Sequence, residues 1–300
     1  KEQSTASLEA QLLFHNRDFG QLIKLLNSNR GQSEPERELW AAQIAESGGT
    51  QLMRIGKTKD AKQFLDIARE SYAEVAKVDP KRTLALAAYL ARIGEIKESI
   101  EMLRGSELPP DEVGELIQSV LQTGSLKEAD ARELIGVAQT VQAKHPKNVL
   151  VNLGLGDLWS WLRVESEAAS AYQMALEVEP NNVSVLNNLA MLLALTGPKL
   201  TEANEFIDQA VKVAGPMDYL LDTRGIVRFA SGNIEGAEKD ILKAIEVSPR
   251  PDRFFHLAQV LASQGRTEDA RAAMKKAKDG GVSAEVLHPL ERKAFESLSQ

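Results

Sequence analysis

Apolar residues gather along the chain in runs of helical length and spacing, separated by one recurring polar turn. The clearest instance is Gly232-Asn233-Ile234-Glu235-Gly236-Ala237, where a glycine, a short polar stretch and a small residue five positions after the glycine follow one another. The same device stands at Gly56 to Ala61, Gly94 to Ser99, Gly124 to Ala129 and Gly265 to Ala270. Arg163 to Ala168 keeps the spacing without the glycine, and Gly197 to Ala203 contains one extra residue. A glycine at a helix C-terminus turns into the left-handed region without a Cβ penalty. A small residue early in the next helix then lets the two backbones approach closely. The pattern predicts antiparallel helix pairs.

The small positions 61, 99, 129, 168, 203, 237 and 270 are separated by 38, 30, 39, 35, 34 and 33 residues. The last three intervals settle on a common period and the earlier ones scatter, which predicts a regular C-terminal array and an irregular N-terminal half. Prolines mark where second helices stop, because proline cannot continue the hydrogen-bond ladder. Pro180 lies 12 residues after Ala168 and Pro249 lies 12 after Ala237. Pro80 and Pro146 follow their small residues by 19 and 17, and Pro109 follows Ser99 by 10, so the earlier helices are predicted to be uneven. Further pairs are predicted around Leu8–Asn27 and Trp40–Val78, and a last amphipathic helix over Ser283–Leu298.

The stretches Tyr172-Gln173-Met174-Ala175-Leu176-Glu177-Val178 and Ile241-Leu242-Lys243-Ala244-Ile245-Glu246-Val247, each followed by proline, resemble the second helices of tetratricopeptide repeats. Gly156, Ala190, Gly225 and Ala258 occupy the small first-helix position of that family, and the resemblance is clearest over residues 149–281. Arg228 departs from the large apolar residue usual three positions later. The resemblance implies an all-α, right-handed superhelical solenoid of antiparallel helix pairs. Its predicted divisions are an irregular repeat region over 1–146, an array of about four repeats over 147–282, and a capping helix over 283–300.

The resemblance further implies a protein-interaction scaffold whose first helices line a concave face that receives a peptide or helix of a partner. The alternative is a sensor or regulatory portion of a larger enzyme or signalling protein. Carried over position by position, the partner-binding candidates are Asp157, Trp161, Asn187, Met191, Tyr219, Asp222, Phe229, Phe255 and Gln259. Leu153, Leu195 and Ile226 share the same face, but apolar stripes of this kind usually pack between helices. Some family members hold a terminal carboxylate with paired Lys and Asn side chains. Leu153 and Asp157 stand where the first such pair belongs, so that unit lacks the cation. A mixed apolar and acidic groove suits an amphipathic or basic peptide.

Composition changes this picture little. Ala and Leu are plentiful and aromatics are only 5%, which favours helices. The net charge of −7 supplies no basic stripe for a phosphate backbone, which argues against nucleic acid. With no cysteine there are no disulfides or thiolate sites, and no apolar run is long enough to span a membrane. The chain opens on Lys1 without a signal-like segment, which predicts a piece of a longer protein.

Catalytic and cofactor motifs fail on inspection. Gly154-Leu155-Gly156 lacks the third glycine of a dinucleotide turn, since Trp159 stands there, and Gly56-Lys57-Thr58 lacks the earlier glycine of a phosphate loop, where Gln51 stands. His15, His145, His256 and His288 form no pair at metal-binding spacing. Carboxylates such as Glu235, Glu238 and Asp240 read as solvated helix faces. No enzyme activity, metal or cofactor is expected.

Overall fold

The structure, a computed structural model, describes residues 2–30, 35–79, 82–103, 109–124 and 126–299. Pro80, used above as a helix stop, lies outside the described residues. Among the described residues there are seventeen helices and no strand, so the chain is an all-α solenoid of helix pairs. Contacts divide it into two compact units, one of residues 1–112 and 118–126 and the other of 113–117 and 127–300.

The first unit contains α1 (Glu2–His15), α2 (Phe19–Ser28), α3 (Pro35–Arg54), α4 (Thr58–Val78), α5 (Thr83–Arg92) and α6 (Ile96–Leu103). Its helices are as uneven as the proline spacing predicts: α4 has 21 residues and α6 has eight. Leu22, Leu52, Phe64, Tyr72 and Leu90 build its core. Pro110 opens α7 (Pro110–Gln122), where its missing N–H would be unsatisfied in any case. That helix contributes residues to both units.

The second unit contains α8 (Glu128–Lys144) and four pairs: α9 (Val149–Trp161) with α10 (Glu165–Val178), α11 (Val183–Thr196) with α12 (Leu200–Ala214), α13 (Asp218–Ala230) with α14 (Ile234–Val247), and α15 (Pro251–Ser263) with α16 (Thr267–Asp279). Each pair packs on itself, and the first helices α9, α11, α13 and α15 touch one another in order. Asn148 and Asn182 cap α9 and α11, each accepting the N–H three residues on, at 2.9 and 3.1 Å.

The turn device is observed as read. Gly56, Gly94, Gly124, Gly197, Gly232 and Gly265 all have positive φ, and Arg163 adopts φ 61° in the same role. Arg17, at φ 58°, makes an equivalent turn between α1 and α2 that carries neither the glycine nor the small residue. Ala61, Ser99, Ala168, Ala203, Ala237 and Ala270 are buried. Ala129 is the exception. It is exposed, and Ala131 takes the buried place, because α8 starts at Glu128 after a longer turn.

The glycines inside α9 serve packing. A Cβ on Gly154 would come within 2.9 Å of Ile117, and one on Gly156 would overlap the Tyr172 ring. The predicted last helix is shorter than read. Turns occupy 283–291 and only α17 (Arg292–Leu298) is helical. Pro289 accounts for this, since it removes a donor and disfavours helical geometry at His288. Asp240 is also not solvated. It is 3% exposed and clamped by Arg224 and Arg228 of α13 at 2.7 and 2.6 Å. The unusual Arg228 is thereby explained, since its charge is matched across the pair.

Candidate functional site

The four first helices of the second unit carry all nine partner-binding candidates. Asp157 on α9 accepts from the Tyr172 hydroxyl at 2.6 Å and from Asn188 Nδ2 at 2.8 Å. Burial and then the Asp157 carboxylate push the Tyr172 phenol well above its ordinary range, so it stays a neutral donor. Asn187 on α11 donates to Asn188 Oδ1 at 3.1 Å. Its own Oδ1 is buried and has no hydrogen-bond partner among the described residues. An orphaned buried acceptor costs about 1–3 kcal/mol, so it is an unusual feature to carry on a helix face. Trp161 and Met191 are half-buried, the latter against the core that holds Leu153, Leu193 and Ile226. Leu153 and Ile226 themselves pack inside, as apolar stripes usually do.

Tyr219 at the start of α13 is 40% exposed. Asp222, one turn on, is turned inward and bonds His256 Nδ1 at 2.8 Å. Phe229 is half-buried against the C-terminal core, and Gln259 is half-buried on α15. Phe255 is fully buried, with its ring 5.5 Å from that of Phe295 in α17. The structure thus brings Asp157 together with the Asn187–Asn188 pair, and gathers Asp222 and Phe255 around His256.

His256 was not among the candidates. Its Nε2 lies 2.9 Å from Glu291 Oε1, so carboxylates flank both ring nitrogens. Burial opposes charging the ring, but Asp222 and Glu291 outweigh it and hold the imidazole well above its usual value. Both nitrogens then donate, and the ring has no lone pair to offer as a base. Arg253 is a second buried cation, bonding Asp218 at 2.8 Å and the carbonyls of Ala244 and Ser248 at 3.0 and 2.6 Å. A sequence signal for these pairs existed. Asp222–His256 and Asp218–Arg253 are 34 and 35 residues apart, which is one repeat period. In a stack of repeats, residues one period apart become neighbours.

The first unit has a cleft of its own, about 690 Å³, lined by Gln43, Glu46, Thr50, Tyr72, Arg92 and others. Glu46 accepts from the Tyr72 hydroxyl at 2.8 Å and from Arg92 Nε at 2.5 Å. Burial, with Glu46 beside it, raises the Tyr72 phenol far above its ordinary range. These are satisfied polar contacts with no nucleophile–base pair among them. Among the described residues no group of three or more His, Cys, Asp or Glu is placed to hold a metal ion. No described helix is long and apolar enough to cross a membrane.

The sequence profile of the tetratricopeptide repeat matches residues 223–283. A tetratricopeptide repeat protein from Parabacteroides merdae superposes with a TM-score of 0.60 at 17% identity, over 86% of this chain and 99% of that one. A thermophilic TPR protein of Thermus thermophilus gives 0.51 at 17% identity, over 64% and 99% of the two chains. PilW, described as a widely conserved type IV pilus biogenesis factor, gives 0.50 at 20% identity, over 64% and 87%. No curated protein matches the chain. At these identities the structural neighbours establish the fold alone.

Proposed function

Starting from a tetratricopeptide-repeat fold, which suggests an interaction scaffold with protein partners, we propose that the second unit receives a peptide or helix of a partner on the face formed by α9, α11, α13 and α15. The array over 147–282 is the binding body in this reading. The observation that carries it is the Asn187 side chain, whose buried Oδ1 has no hydrogen-bond donor among the described residues. Rotation of the amide toward the face would bring that oxygen to a backbone N–H of an extended or helical ligand. The half-exposed Tyr219 ring on the neighbouring first helix supplies the amphipathic surface that interfaces favour. On this face Asp157, Asp222 and His256 are all engaged in hydrogen bonds within the unit.

The test begins with affinity capture on the full chain and proceeds to calorimetry with the captured partner. Tyr219→Ala combined with Asn187→Ala should weaken binding by about 2 kcal/mol or more while the melting temperature barely moves. Unaltered affinity removes both residues from the site. Loss of folding assigns them to the core.

A further inference from the structure

The first-helix face of the second unit already has something lying on it. After α16 the chain leaves the repeats, and residues 283–299 run back across the first helices. His288 Nε2 reaches Ser160 Oγ near the end of α9 at 3.3 Å, a contact spanning 128 residues of sequence. Leu290 packs on the core shared by α9, α11 and α13. Glu291 enters as the second carboxylate on His256, and Phe295 covers Phe255. Leu287, like Phe295, is buried in the C-terminal core.

Two properties set this segment apart from a simple cap. Among the described residues no backbone hydrogen bond joins 283–299 to the repeats. The backbone bonds it makes, such as Glu291 N–H to His288 O at 2.9 Å, are internal. Packing by side chains is common to the helices of the array, and the tail differs in that only seven of its residues are helical. Segments with few backbone ties open at low cost compared with the body that carries them. The second property is chemical. Asp222 alone would pair His256, yet the ring's other nitrogen is held as well, by the buried carboxylate of Glu291 from the tail. Burying a carboxylate needs such a partner, so this place on the face selects acidic ligands.

We propose that residues 283–299 are an internal occupant of the partner groove, and that the partner is a segment of the same chemistry, two apolar anchors followed by a glutamate and an aromatic, which displaces it. Leu287, Leu290, Glu291 and Phe295 spell out that pattern. The partner's carboxylate takes the place of Glu291 on His256, and its aromatic ring takes the place of Phe295 on Phe255. This inference rests on the binding face proposed above and names its ligand class.

The probe is a fluorescein-labelled synthetic peptide of residues 283–299, titrated by anisotropy into the full chain and into its Glu291→Ala/Phe295→Ala variant. The variant with the loosened tail should bind the peptide at least tenfold more tightly than the parent. A peptide carrying Glu291→Gln should bind that variant at least tenfold more weakly. Equal binding to both proteins, or binding indifferent to the peptide's glutamate, overturns the proposal. Should the variant lose helicity, hydrogen exchange on the parent decides. Saturating peptide must speed exchange in 283–299 while α13 and α15 stay protected, and unchanged tail exchange is an equally negative result. A tail shared between two copies would appear as a concentration-dependent dimer, and that outcome overturns the intramolecular assignment. The two readings fail separately. If the Tyr219/Asn187 variant loses its captured partner while the peptide results are negative, the binding face stands and the tail's role falls. Positive peptide results with unaltered partner affinity keep the tail's role and remove Tyr219 and Asn187 from the site.

Discussion

The same substitution, glycine to alanine, should have opposite effects at two helical positions of the second unit. Alanine is favoured over glycine inside a helix by about 1 kcal/mol, so both changes start with that gain. Gly136 in α8 is exposed, and an added Cβ there meets nothing within 4 Å. Gly136→Ala should keep the gain. Gly156 in α9 faces the Tyr172 ring of α10, and an added Cβ would overlap the ring edge and lie only 2.9 Å from Cζ. The ring is buried and cannot step aside without moving its hydroxyl from Asp157, now 2.6 Å away. Overpacking of this kind costs about 1–3 kcal/mol, and loss of a hydrogen bond to a charged acceptor adds about 1.5–3 kcal/mol. The steric and polar costs win at Gly156. Thermal melts followed by circular dichroism should show Gly136→Ala raising Tm by about 2–4 °C and Gly156→Ala lowering it by about 3–20 °C, at 2–4 °C per kcal/mol for a unit of this size. A rise for both, or no change at Gly156, would refute the close α9–α10 approach on which the repeat reading depends.

Ala237 is fully buried, and its carbonyl lies 3.3 Å from where a Gly225 Cβ would sit. Ala237→Trp should therefore lower Tm through overpacking of about 1–3 kcal/mol or more, and an unchanged melt would remove Ala237 from the helix crossing. Arg163 holds φ 61°, a region that costs a side-chain-bearing residue about 1–2 kcal/mol. Arg163→Gly should raise Tm slightly despite the greater freedom of glycine in the unfolded chain, and a clear drop would show that the turn is not strained. His256 faces Asp222 of α13, Glu291 of the tail and Asp252 of its own helix, and its folded pKa lies above the unfolded value of about 6.5. Its contribution is thus complete below about pH 6.5 and fades as pH rises through the folded value. The Tm gap between the parent and His256→Gln should narrow with rising pH, and a widening gap would mean the ring is neutral in the fold.

The alternation of glycine turn and small residue located nearly every helix pair, because both are local requirements. A left-handed residue is needed within a few bonds of each helix end, and glycine or a strained arginine is visible there. The uneven N-terminal helices were legible from proline positions for the same reason. The reading slipped where the turn changed length, at Ala129 against Ala131, and where a proline interrupted an otherwise helical pattern, at Pro289. For the site, the phase of the small residues placed nine side chains on the first helices. Exposure within that face was not legible: Tyr219 stays outside while Phe255 is fully buried by α17.

What the sequence by itself determined is the repeat and the place of most of its helix turns. These follow from sterics and hydrogen bonding over a few residues. The tertiary structure alone decided which charges are buried. Asp240 looks solvated along α14 and becomes the centre of an arginine clamp only when α13 packs beside it. It alone decided, too, that residues 283–299 return to the first helices, with contacts reaching from Glu291 to His256 and from His288 back to Ser160. Helical periodicity describes one element at a time. Pairings between residues one repeat or several repeats apart depend on how the elements stack, and that stacking is where the charge and the cover of this face were settled.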